Sequence, residues 1–183
     1  MKKIALGLVM ALLSITLSSK AQTQQGNVLV GADFARFSFQ LNNPHQFDVS
    51  LSPSAAWFLN NNFALGGYVN FALSATSGYN TTTTVGLGPL ARYYFGKAET
   101  RSKLFLQANA GYSNSSYGTT STISAVVFGA GPGFAYFVTP NVGLETILSY
   151  NGASGTNTYT GYGHSVNLNF GLQVYLEGHK SKK

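Results

Sequence analysis

The chain has 183 residues, with 13 Phe, 11 Tyr, 1 Trp, 21 Gly, no Cys and few charges, 11 basic and 5 acidic. That length holds one domain of ordinary size, and its charged fraction of 9% is about a third of the ~25% usual in soluble domains. The aromatics exclude disorder, the lack of long apolar runs in the body of the chain excludes a helical membrane bundle, and the absence of Cys excludes disulfide frameworks, thiolate metal sites, Cys nucleophiles and a lipidated N-terminal Cys.

The first element is an export signal. Met1-Lys2-Lys3 supplies a positive start, Ile4 to Leu17 an uncharged and largely apolar stretch, and Ser19-Lys20-Ala21 the small residues a signal peptidase reads, which places cleavage between Ala21 and Gln22. The apolar stretch is too short for a spanning helix, which needs ~20 residues. Loss of Lys2, Lys3 and Lys20 leaves 8 basic and 5 acidic groups, so the net charge falls from +6 to +3. The high pI therefore comes largely from this leader and from a basic tail at Lys180, Lys182 and Lys183; no basic surface interleaved with aromatics remains, and no nucleic-acid partner is expected.

From Val28 onward the pattern is period two, strand after strand. Val28 to Leu41 is the first run; its apolar parity changes near Phe34, which predicts a bulge. Phe47 to Trp57, Phe63 to Ser74, Val85 to Phe95, Leu104 to Ser113, Phe128 to Tyr136, Val142 to Tyr150 and Val166 to Leu176 follow, eight runs in all. Large apolar residues dominate one face and Gly, Ala, Ser, Asn and Gln the other. A soluble barrel would place the large residues inside, whereas small and polar residues suit the narrow interior of a membrane barrel. The expected fold is thus all-β, a closed eight-stranded antiparallel up-and-down transmembrane barrel over 22–176, preceded by the signal peptide 1–21 and followed by a basic periplasmic tail 177–183.

Connectors alternate in length. Asn60-Asn61-Asn62, Gly96 to Lys103 and Thr139-Pro140-Asn141 are read as periplasmic connectors, whereas Ser74 to Thr84, Ser113 to Ser124 and Asn151 to His164 are read as longer external loops. Aromatics gather beside the turns, and Trp57, Phe58, Phe63, Tyr93, Phe95, Tyr136 and Phe137 are expected to form an interfacial girdle. By parity Asp48, Arg92 and Glu145 face the lumen, with Asp33 and Arg36 in the irregular first strand. A charge facing lipid at mid-depth costs about 2–4 kcal/mol, which favours this inward placement. Arg92 and Glu145 lie at similar depth and are expected to pair, Asp33 being the nearest rival.

A repeat links the runs: Pro53, Phe58, Asn62 and Leu65 recur as Pro132, Phe137, Asn141 and Leu144, and Gly88-Pro89 through Tyr94 repeats part of the unit. Proline is normally confined to edges and bulges, so Pro53, Pro89 and Pro132 are an anomaly in these strands. The segment Gly88 to Phe95, then Gly131 to Phe137 running on to Glu145, resembles the small outer-membrane β-barrel domain family, similar to the transmembrane domain of outer-membrane protein A. Asn169, Gly171, Val174 and Leu176 resemble that family's C-terminal insertion signal, with Leu176 in place of an aromatic. The resemblance implies residence in the outer membrane of a Gram-negative type bacterium, contact with its lipid and lipopolysaccharide, help from the barrel-assembly machinery, and a monomer.

Motifs for chemistry are weak. Gly129 to Gly133 lacks the helix a phosphate loop must open, and its glycines are read as relieving crowding in the lumen. Asn80-Thr81-Thr82 and Asn114-Ser115-Ser116 match glycosylation sequons but are read as Ser/Thr/Asn-rich loop composition. His164-Ser165 resembles the His and Ser of lipid A deacylase barrels, but adjacent residues point to opposite faces and no acid lies nearby; His45 and His179 add no cluster. No metal, cofactor or catalytic residue is expected. The reading is a structural or cell-surface interaction protein with a lumen filled by polar and charged side chains and an unknown loop partner; the alternatives are a narrow channel for small solutes and, behind it, a lipid-modifying enzyme.

Overall fold

A computed structural model of the chain describes residues 23–40, 46–76, 81–97, 100–117, 121–155 and 163–178. Residues 1–21, read from sequence as a signal peptide, and His45, Asn80 and His179 lie outside the described residues, as do the side chains of Arg36 and Asp48.

Eight strands follow one another: β1 (Val28–Gln40), β2 (Gln46–Asn60), β3 (Phe63–Thr76), β4 (Thr82–Tyr94), β5 (Ser102–Tyr117), β6 (Ser121–Thr139), β7 (Val142–Gly155) and β8 (Gly163–Leu176). Each pairs antiparallel with the next, and β8 returns to β1 to close the barrel. Closure removes both sheet edges, so every strand has a backbone partner on each side. The alternation in sequence becomes an alternation of exposure: Leu87, Leu104, Val166 and Phe170 are each more than 60% exposed, while their neighbours Gly86, Lys103 and Phe105 are buried. An apolar skin this extensive is far larger than water tolerates on a monomer, and hydrocarbon is the solvent that fits it.

The bulge expected in the first strand is present, between Phe34, which pairs with Leu51, and Phe37, which pairs with Val49. One extra residue on β1 reverses its parity there. The three prolines share one solution. Beside Pro53 the β2–β3 ladder skips from Leu51–Phe71 to Ser54–Tyr68; beside Pro89 the β4–β5 ladder skips from Leu87–Tyr112 to Leu90–Asn109; beside Pro132 the β6–β7 ladder skips from Ala130–Tyr150 to Gly133–Ile147. In each case pairing resumes in the same register, and the opposite ladder runs through the proline unbroken, with partners Ala32, Gly67 and Leu106. The missing N–H thus costs a two-residue window on the side of the following strand, without a slip.

The external loops are shorter than expected. Strands β5 and β6 pair out to Tyr117–Ser121, and β3 and β4 out to Ser74–Thr82. The described parts of the Ser/Thr-rich segments read as loops are continuations of the strands beyond the apolar band, where β-branched threonines still favour extended backbone but no apolar alternation is needed. Polar side chains pair across them, as in Thr84 Oγ1 to Ser115 Oγ at 2.8 Å and Ser124 Oγ donating to Asn114 Oδ1 at 2.6 Å.

At the other end the β2–β3 and β6–β7 connectors are tight. Asn62 holds a left-handed φ of 68°, which asparagine tolerates better than most residues. Its carbonyl accepts the Tyr94 N–H at 2.8 Å, as the Asn141 carbonyl accepts the Tyr175 N–H at 2.7 Å. The 62/141 repeat is therefore a repeated turn that latches onto the next hairpin.

The barrel lumen as candidate functional site

Residue size divides the lumen into two halves. Toward the turn end lie the largest fully buried side chains, among them Arg92, Tyr94, Tyr175, Phe58 and Phe105. Toward the loop end the inward residues are mostly Ser, Thr, Asn and Gly, with Tyr68, Val127 and Ala153 among them.

In the turn-end half, Arg92 on β4 and Glu145 on β7 meet across the barrel with Nη1 to Oε2 at 2.6 Å, both side chains essentially without solvent exposure. Arg92 also donates from Nε to Gln107 Oε1 at 2.9 Å, with a second contact from Nη2 to the same oxygen, and from Nη1 to Tyr94 OH at 3.0 Å. Gln107 is the directly paired residue on β5, so the strand register delivers this acceptor. Tyr175 donates its hydroxyl to Glu145 Oε1 at 2.6 Å and lies 2.7 Å from Tyr94 OH. Both oxygens of the carboxylate and all three guanidinium nitrogens thus have partners, which a buried pair needs if attraction is to offset desolvation. The guanidinium carbon sits 4.4 Å from the Phe105 ring centroid, within cation–π range. Asp33 is not in the pair; it accepts from Gln173 Nε2 at 3.0 Å.

Below this network is a ring of aromatics. Phe58 lies 5.9 Å from Tyr94, Tyr94 5.4 Å from Phe105, and Phe137 5.0 Å from Tyr175. Phe58 and Phe137, expected in the lipid-facing girdle, are 1% and 4% exposed and point inward. Strand parity explains the correction: each lies one residue from an outward neighbour, Trp57 or Tyr136, and five residues after an outward proline. Trp57, Tyr93, Phe95 and Tyr136 are on the outside, and Phe63 is half-buried.

Opposite the bulky lumen side chains stand glycines. Phe105 faces Gly133, Gln173 faces Gly31 and Asp33 faces Gly171 across adjacent strands, and a Cβ on any of these glycines would strike the facing side chain. Large-against-small pairing is how a narrow barrel fits its interior.

Lys103, read from sequence as part of a charged connector, is the second residue of β5 and only 2% exposed. Its Nζ donates to Thr23 Oγ1 at 2.6 Å and Asn62 Oδ1 at 3.3 Å. Thr23 is itself buried, and the segment after it is tied down by Gly26 N–H to Phe58 O at 2.8 Å and Gln25 N–H to Asn61 Oδ1 at 3.0 Å. The chain before β1 therefore lies across the turn end. The odd parity of Phe105, Gln107 and Asn109, extended back two residues, is the signal that would have found Lys103.

His164 is exposed, with Nδ1 2.7 Å from Tyr150 OH and the two rings stacked, while Ser165 lines the lumen. The two are on opposite faces. Gly129 to Gly133 lie inside β6.

These features define a class: an eight-stranded outer-membrane β-barrel with an apolar exterior and a polar interior. The chain belongs to the family described as "Protein of unknown function, DUF481", which matches residues 16–178. Among solved structures it is similar to Neisserial surface protein A (NspA), at 25% identity and a TM-score of 0.56, covering 81% of this chain and 95% of that one. The outer membrane protein OprG from Pseudomonas aeruginosa overlaps at 10% identity and a TM-score of 0.49, covering 87% and 97%. The N-terminal barrel domain of OprF from the same organism overlaps at 16% identity and 0.46, covering 83% and 97%. No curated protein matches the chain.

Proposed function

We infer that the chain is a monomeric integral outer-membrane protein of a Gram-negative type bacterium, exported by a leader cleaved after Ala21, with a structural or cell-surface interaction role and a lumen sealed to solutes. The turn end faces the periplasm and the loop end faces outside. Barrel-assembly machinery inserts it, lipid and lipopolysaccharide surround it, and the loops meet a partner at the surface. The observation that carries the sealed lumen is the Arg92–Glu145–Tyr175–Tyr94 network stacked on the Phe58, Phe105 and Phe137 rings. Eight strands leave an interior that side chains can just fill, and here the fullest layer is made of paired charges rather than free ones. A narrow channel would need free charges lining an open path. An enzyme would need a nucleophile and base on one face, which the placement of His164 and Ser165 does not support.

Planar-bilayer conductance tests this reading. The wild-type protein is expected to produce no discrete conductance steps, and Arg92→Ala to produce them by leaving a gap in the layer. Regular steps from the wild-type protein would replace the sealed reading with the channel.

A further inference from the structure

Above the sealed layer the lumen is hollow. A cavity of about 320 Å³ opens toward the loop end, with Leu90, Ile147, Gln107 and Asp33 around its base. Its size is within the ~300–1,000 Å³ of small-molecule sites. The contrast with the lower half is a matter of residue choice: Ser, Thr, Gly and Asn stand at positions where Arg, Tyr and Phe stand one or two turns of the pleat below.

The wall offers hydroxyls and amides. Asn70 Nδ2 donates to Ser52 Oγ at 2.9 Å, Asn151 Nδ2 to Ser149 Oγ at 3.0 Å, and Asn167 Nδ2 to Ser165 Oγ at 3.2 Å. These short-range pairs use the amide N–H groups and hold the side chains in place, and Ser149 Oγ in turn donates to the Asn167 carbonyl at 3.5 Å. Three polar atoms of the same wall, Ser54 Oγ, Tyr68 OH and Asn169 Oδ1, are buried with no partner. Ser54 is only 8% exposed. Buried polar groups left unpaired are costly, and a wall that carries two hydroxyl donors and an amide acceptor in that state is complementary to a guest with both kinds of group. Among the described residues Asp33 is the single charged side chain lining the cavity, and its carboxylate already takes the Gln173 amide. Leu90 and Ile147, at 3% and 4% exposure, add an apolar patch at the base.

We propose that this outward-opening cup binds an uncharged polyhydroxylated ligand of monosaccharide size. A sugar ring carries alternating donors and acceptors around its rim for the Ser and Asn side chains, and its C–H face suits Leu90 and Ile147. A phosphate would meet no cation among the described lining residues, and the described carboxylate, Asp33, already holds an amide. The proposal rests on a closed base, which conductance tests separately: sugar binding can fail while the barrel stays sealed, and the reverse.

The test is a titration of the full chain, refolded in phosphocholine-headgroup micelles that contain no sugar, with glucose and N-acetylglucosamine, and with glucose 6-phosphate and glucosamine as charged counterparts. Amide NMR signals of Asn70, Asn167, Asn169 and Gly86 are the readout. The expected result is saturable shifts confined to the cup with a neutral sugar, weakened about tenfold both in Ser52→Leu, which fills the space, and in Asn169→Ala, which removes an acceptor. Should Ser52→Leu fail to migrate as a folded barrel on an unheated gel, Asn169→Ala carries the comparison. No saturable shift with either neutral sugar would show that the cup holds water alone. Tighter binding of a charged counterpart, or shifts outside the cup, would equally overturn the proposal.

Discussion

At the scale of single residues, the proposed seal depends on a charge pair that has been taken fully out of water. Removing one member leaves the other uncompensated, and breaking a buried pair typically costs about 3–5 kcal/mol. Arg92→Ala and Glu145→Ala should each lower unfolding stability by an amount of that order, and the double variant should recover part of the loss. Urea unfolding in micelles, analysed as a double-mutant cycle, checks this; strictly additive losses would mean that the residues do not couple. Outside the barrel, Trp57 is 56% exposed and is the only Trp in the chain. Its fluorescence should be quenched by lipids brominated near the headgroup and resist iodide in the aqueous phase. The opposite pattern would remove it from the interface.

Arg92 and Glu145 were legible in the sequence because parity and depth are both simple to count along a strand. Lys103 was not, because it sits beside Lys97 and Arg101 and a run of charges at a strand start reads as a connector. Phe58 and Phe137 were misplaced for a related reason: clustering of aromatics at a turn signals the interface on average, but parity decides for each side chain whether it meets lipid or lumen.

At the scale of the strand, the interior is set by where a side chain is absent. A Cβ on Gly88 would strike the backbone of Ala110 and Gly111, and one on Gly131 the backbone of Leu148 and Ser149, whereas at Gly86 it would meet the Ser113 Cβ at a tight 3.3 Å. Backbone cannot yield as a flexible side chain can. Gly131→Ala should therefore cost about 1–3 kcal/mol, the range for overpacking, and Gly86→Ala clearly less, measured by urea midpoint in the same micelles. Equal effects would mean that the strands do not approach as closely as these positions require. Both Gly88 and Gly131 precede a proline, so close approach and ladder interruption coincide in the β4 and β6 repeats. The prolines looked anomalous in the sequence because a strand rule says where proline is rare, whereas tolerance depends on which neighbour loses the hydrogen bond. The strand extensions past the apolar band were equally hidden, since Ser/Thr-rich stretches carry no period once neither face needs to be apolar.

At the scale of the molecule, the barrel itself was the most legible feature. Period two with the large residues on one face and small ones on the other admits few solutions, and the number of runs gave the number of strands. The proposed orientation puts the turn end in the periplasm and the loop end outside. The chain has no Cys, so Thr122→Cys at the loop end should react with an impermeant thiol reagent on intact cells, and Lys97→Cys at the turn end should react only after lysis. Reversed labelling would invert the molecule and place the cup on the periplasmic side.

A closed transmembrane barrel keeps its hydrogen-bonded wall in detergent until it is heated. The most direct measurement is the gel mobility of unboiled against boiled protein taken from the outer-membrane fraction. The unboiled protein is expected in that fraction as a compact, faster-migrating band that shifts to the position of the unfolded chain on boiling. Identical mobility before and after boiling, with recovery in the soluble periplasm, would contradict the barrel and everything built on its lumen.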